Sequence, residues 1–193
     1  MEEQLRAEAI QCTLQVSLAR PDPSVVMLTY VFENGSPQNA FLFNQIYRQV
    51  LPDGMFATEP QRVYIEASGD GVLLSKKIIP VPDTMDVEKP FIPCATMVKP
   101  GESFQETLAL PLPLRPWHHY LMLTDDDFAS EPTELPASFE LGFFLATPEG
   151  EKLAQTVRTM TGQAAYFYPF NPASQTLLRV GPFRTRLPVR LPK

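Results

Sequence analysis

Along most of the chain, apolar and polar residues alternate with a period of two. In AIQCTLQVSLA, Ile10, Cys12, Leu14, Val16 and Leu18 alternate with Gln11, Thr13, Gln15 and Ser17. That pattern predicts one half-buried strand. PDPS turns the chain, and the more apolar VVMLTYVFENGS predicts a central strand closed by a turn at Asn34-Gly35. AFLFNQIYRQV predicts a third strand ending at the turn LPDG. RVYIEASGDGVLLSKKIIP predicts two strands around the turn from Ser68 to Gly71.

Prolines punctuate the next stretch, residues 80–100, at positions 80, 82, 90, 93 and 100. This predicts a long surface connection crossing between sheets. SFQETLALPLPL predicts a strand stopped at Pro111 and Pro113, and SFELGFFLAT alternates Phe139, Leu141, Phe143 and Leu145. After the turn PEGE at 148–151, KLAQTVRTMTG sets Leu153, Val157 and Met160 at helical spacing, but its clustered threonines favour a hairpin strand. QAAYFYPF and QTLLRVGPFRTRLPVRL supply closing strands. The stretch VKPGESFQETLALPL, residues 98–112, is similar to strand openings in immunoglobulin-like and arrestin-like sandwiches. The expected fold is all-β: an immunoglobulin-like Greek-key β-sandwich of about seven to nine strands in one domain, residues 1–193. It should carry one long Pro-rich connection and at most a short helical turn.

Composition narrows this picture without changing it. Of 193 residues, 44% are hydrophobic and 20% charged, which suits a folded core and excludes extensive disorder. No apolar run is long enough for a transmembrane helix, so membrane insertion is not expected. The acidic N-terminus, MEEQLRAEAIQC, does not resemble a secretory signal. The chain is therefore expected to be cytoplasmic, or to have lost an export signal. Cys12 and Cys94 match no metal-ligand spacing and are expected as buried free thiols. The net charge of −6 is unevenly spread: residues 1–151 hold all 22 acids, and residues 152–193 hold basic residues and no acid. Strands from the two regions should neutralise each other, and the acidic bulk argues against nucleic acid.

Candidate chemistry concentrates in LALPLPLRPWHHYLMLTDDDF, residues 108–128. If WHHYLML is extended, His118 and His119 point to opposite faces, so one metal ion cannot take both. Asp125–Asp127 fail the EF-hand pattern, because Ser130 and Pro136 stand where Gly and an acid are needed. Thr124 and Asp127 instead match a capping box on a short helical turn. His119, Asp125 and Asp127 remain the weak metal candidates. A catalytic Cys94 beside His118 lacks any supporting motif. Asn34-Gly35-Ser36 is formally a glycosylation acceptor and is expected to be simply a turn.

Two segments suggest contact surfaces. Tyr166, Tyr168 and Phe170 would share one strand face, filling the core or meeting a partner. In the last strand, Arg184, Arg186 and Arg190 alternate with apolar residues, which describes a protected edge or a docking strand. The expected function is therefore non-enzymatic protein–protein contact, with another protein or a second copy as partner and no cofactor. The alternative is a carbohydrate- or small-ligand-binding module using Trp117, Tyr166 and Tyr168. A metal-assisted hydrolase ranks last.

Overall fold

A computed structural model of the chain describes residues 2–168 and 172–193. Among the described residues the strands are β1 (Glu2–Ala9), β2 (Cys12–Asp22), β3 (Val25–Asn34), β4 (Ala40–Gln45), β5 (Tyr47–Val50), β6 (Phe56–Thr58), β7 (Tyr64–Ser68) and β8 (Gly71–Lys76). They continue as β9 (Cys94–Val98), β10 (Ser103–Pro111), β11 (Thr133–Leu145), β12 (Gln155–Val157), β13 (Ala165–Phe167), β14 (Thr176–Val180) and β15 (Arg186–Val189). The regular helices are short: a 3-10 turn at Asp125–Asp127, a helix α1 at Pro148–Glu151 and a 3-10 turn at Pro172–Ser174. None is long and apolar enough to cross a membrane. The molecule is nearly all β, with more and shorter strands than the alternation alone predicts.

One sheet has the antiparallel order β1-β2-β3-β10. The second runs β12-β13-β9-β4-β11-β8-β7, with β14 and β15 also paired to β11. Within it β8 and β11 lie parallel, a pairing that no two-residue turn can make. The inner faces share one core. Cys12, Leu14, Val16 and Leu18 of β2 and Leu28, Tyr30 and Phe32 of β3 pack with Leu42, Leu74, Phe139, Leu141 and Phe143 of the second sheet. The charge asymmetry resolves partly in these contacts: Glu3 accepts hydrogen bonds from the backbone N–H groups of Arg184 and Thr185.

The second sheet is also covered outside. Phe41 and Phe43, which alternate with the core residues of β4, meet Phe144, Ile78 and Ile92 beneath Tyr166, Phe167 and Tyr168. Nearby, Ile46, Tyr64, Ile79 and Tyr120 are roofed by Val81, Met85, Val87, Phe91 and Trp117. The Pro-rich stretch therefore does more than connect: its first part, with residues 77–79 before it, covers a sheet face before the chain enters β9.

Three expectations need correction. AIQCTLQVSLA is a hairpin, because residues 2–9 form a strand of their own. Ile10 and Gln11 form its turn with φ of 44° and 63°, and Ile10 is exposed where the alternation would bury it. AFLFNQIYRQV breaks at Ile46, since β4 and β5 belong to different sheets. WHHYLML is not extended: Trp117 makes one bridge to Ile65, and the chain then turns, with Leu121 N–H donating to His118 O. The capping box does form, with Thr124 N–H and Oγ1 both donating to Asp127 Oδ2 at 2.7 and 2.8 Å. Cys12 and Cys94 are buried free thiols. The Asn34 amide is buried and donates to Gln38 O and Val98 O, so Asn34 is a structural corner and not an accessible glycan acceptor.

A buried ion pair joins the two sheets. The Lys76 ammonium, fully buried, donates to Glu106 Oε2 at 2.6 Å and to Pro60 O at 2.8 Å. The same carboxylate oxygen accepts Tyr30 OH at 2.6 Å. Burial pushes the Lys76 pKa down while Glu106 pulls it back up. Lys76→Met should cost about 3 kcal/mol or more in urea denaturation, because Glu106 is left unpaired, and the double variant K76M/E106Q should recover most of that loss. In the N-terminal turn, the double variant I10N/Q11G should stabilise by about 1–2 kcal/mol in the same assay, because both positions need the left-handed conformation that Asn and Gly tolerate.

Candidate functional site

A concave surface forms where the 59–65 segment meets the Pro-rich 110–117 segment. Three sets of hydrogen bonds fix it there. Lys76 holds Pro60 O from inside the core. The Gln61 side-chain amide pairs with the free edge of β10, donating to Thr107 O at 3.3 Å and accepting from Ala109 N–H at 2.9 Å. Ile65 and Trp117 exchange both backbone hydrogen bonds, at 2.9 and 2.8 Å.

Trp117 stands between two cavities. The larger, about 820 Å³, is lined by Pro60, Val63, Ile65, Leu110–Trp117, Leu123 and Phe128, with Arg115 and Asp125 paired at its rim. Met122, next to Leu123, is 89% exposed. Four prolines among these residues deny the backbone its N–H groups, so the groove offers mainly apolar surface and carbonyls. The smaller cavity, about 470 Å³, is lined by Arg48, Glu59, Arg62, Trp117 and His119. Arg62 is ion-paired to Glu59 and places its guanidinium 3.9 Å from the centre of the Trp117 ring.

An aromatic ladder backs the smaller cavity. His119 stacks on Phe91 with ring centres 3.3 Å apart and stands edge-on to Tyr64 and Trp117. Phe91 meets Tyr47, and Tyr47 meets Phe56. Burial, reinforced by the positive charge of Arg62, lowers the His119 pKa to about 4. The imidazole is therefore neutral at neutral pH, and its buried Nε2 has no hydrogen-bond partner. His118 diverges from it: its Nδ1 accepts Tyr120 N–H, and burial lowers its pKa, with Glu66 opposing and Lys77 adding to that shift.

The other candidate residues lie elsewhere. Asp125 pairs with Arg115 on the larger groove and Asp127 caps its own helical turn. Neither lines the cavity that holds His119. Among the described residues, no three His, Cys, Asp or Glu side chains gather to hold a metal ion. Burial raises the Cys94 thiol to about 12, far from a thiolate nucleophile at neutral pH. Tyr166 packs edge-on to Phe41, and Tyr168 packs on Phe144, so neither lines the cavities beside Trp117. Phe170 lies outside the described residues.

The last strand is engaged on both sides. β15 pairs with Thr133–Pro136 of β11, while Leu114 exchanges backbone hydrogen bonds with Pro188 and Arg190 across its other edge. Arg184 and Arg186 are exposed, and the Arg186 guanidinium donates to Glu134 O. Arg190 is half-buried, and its Nε has no hydrogen-bond partner.

Sequence reasoning singles out Trp117 and His119 but not Arg48, Glu59 or Arg62, which join them only through the fold. The usable signal was the doubly apolar AFLF of β4, which requires cover on both sheet faces and so foretells an outer layer. Comparison with known protein families, with curated proteins and with solved structures finds no match to this chain.

The state of His119 is directly measurable. Its NMR titration midpoint should lie near 4, well below the ordinary 6.5. The unfolded chain then binds the proton more readily, so this residue's contribution to stability is complete above about 6.5 and is lost as pH falls toward 4. His119→Phe, which keeps a stacking ring, should flatten the dependence of unfolding free energy on pH across that window. A midpoint at or above 6.5 would contradict the half-buried, neutral imidazole.

Proposed function

We propose that this chain is a non-enzymatic, immunoglobulin-like β-sandwich module that works by protein–protein contact. The observation that carries the proposal is the apolar groove beside Trp117, with Leu123 and Pro113 in its walls and Met122 exposed next to Leu123. Apolar surface in a groove, rimmed by paired charges, suits an extended peptide segment. A partner strand cannot simply add to β15, whose two edges are already hydrogen-bonded. Side-chain contact through the exposed Arg184 and Arg186 stays open to a partner as a secondary surface. The small-ligand alternative keeps Trp117 as its anchor, supported by the aromatic and arginine lining of the smaller cavity.

Selection of displayed random dodecapeptides on the immobilised protein tests the contact proposal. Apolar, proline-tolerant sequences should be enriched, and Leu123→Asp should reduce their binding at least about tenfold without moving the unfolding midpoint. Enrichment that ignores Leu123→Asp, or no enrichment at all, refutes the groove as the contact surface. Sedimentation across a concentration series tells whether the partner is a second copy.

A further inference from the structure

We propose that the cavity of Arg48, Arg62 and His119 receives the side-chain carboxylate of an acidic residue in the partner segment whose apolar residues occupy the adjoining groove. This rests on the contact function proposed above and specifies the chemistry of the partner.

Arg48 lies on β5 with an exposed side chain and, among the described residues, has no hydrogen-bond or ion-pair partner, in a protein whose net charge is −6. Other arginines near this surface are engaged, Arg62 with Glu59 and Arg115 with Asp125. Glu59, the one acid of the cavity, is neutralised by Arg62. The lining therefore carries one uncompensated positive charge, and planar guanidinium groups suit carboxylates in particular.

The second observation is His119, which lines the cavity, stacks on Phe91 and leaves its Nε2 without a hydrogen-bond partner among the described residues. A buried ring nitrogen without a partner carries a desolvation cost that a ligand oxygen accepting an Nε2–H bond would remove. Neutral imidazole can donate through Nε2 without bringing a second charge into the aromatic ladder. Geometry links this to the groove, because Glu59, Arg62 and Trp117 line both cavities. A segment lying in the groove thus passes the Arg62–Trp117 stack and can turn one side chain into the smaller cavity.

Two measurements test the proposal on the full chain. In the first, phenylacetate is titrated while the His119 ring resonances are followed by NMR. Binding should perturb them and raise the His119 titration midpoint, and Arg48→Ala should weaken binding about tenfold. In the second, displayed dodecapeptides are selected on the wild-type protein and on Arg48→Glu. The wild-type protein should enrich apolar sequences with Asp or Glu at one fixed place. Arg48→Glu should keep the apolar residues and lose the acid.

The outcomes separate the two proposals. Apolar peptides with no acid preference, together with no response to phenylacetate, overturn the carboxylate site and leave the groove function standing. No peptide enrichment, with phenylacetate bound through Arg48, removes the peptide partner and so overturns the inference as stated. Phenylacetate binding that ignores Arg48→Ala also overturns it. Because the Arg48 side chain is exposed and makes no hydrogen bond or ion pair among the described residues, both of its variants should fold as the wild type does.

Discussion

The ion pair between Lys76 and Glu106 is the interaction on which the rest of the structure hangs. It crosses the interface between the two sheets, where the inner faces are mostly apolar. A buried ammonium is tolerable only with its acceptors in place, so the sheets can settle in one relative position. Sliding by one residue pair, roughly 7 Å, would strand both charges. Tyr30 OH completes the carboxylate's shell from β3, and stacking of Tyr30 on Phe139 carries the same registration into the apolar core. The remaining acceptor of Lys76 is Pro60 O, so the charge that aligns the sheets also anchors the segment that walls the groove.

The outer layer follows from a second constraint. Strands β4 and β11 are buried on both faces along most of their length, so the outer side of the sheet must be roofed. Residues 77–93 and 114–123 supply part of that roof without forming regular elements between them. Because the roof is built from chain without a hydrogen-bonding ladder, its edges leave concavities that a second packed sheet would not. The cavities beside Trp117 lie in that irregular layer, between the 59–65 segment and the proline-rich run.

Much of the scaffold was legible in the sequence. Alternation identified β2 and β10, a more apolar run closed by Asn34-Gly35 identified β3, the Ser68–Gly71 turn located the hairpin of β7 and β8, and the capping residues Thr124 and Asp127 located their short turn. β1 escaped because its inward residues Leu5, Ala7 and Ala9 are mostly small and its outward ones charged, a weak apolar signal for an edge strand. Parallel pairing of β8 with β11 has no local signature, since it is set by packing across more than sixty positions of sequence. The site was legible only in part. Trp117 and His119 stood out as rare residue types. Arg48, Glu59 and Arg62 look like ordinary surface charges until folding places them around one indole.

Gln61 gives the site an unexpected dependence. Its amide imitates a piece of strand, occupying Thr107 O and Ala109 N–H, which β3 leaves free on the rim of the four-stranded sheet. An unguarded rim of that kind is a template for another chain, and long flat edges are where soluble β proteins begin to polymerise. Here the guard belongs to the same short loop that shapes the groove. Any change that pulls the loop outward to admit a bulkier guest also unlocks the rim. The range of partners this surface can evolve to accept is thus bounded by the need to keep the molecule from joining copies of itself end to end.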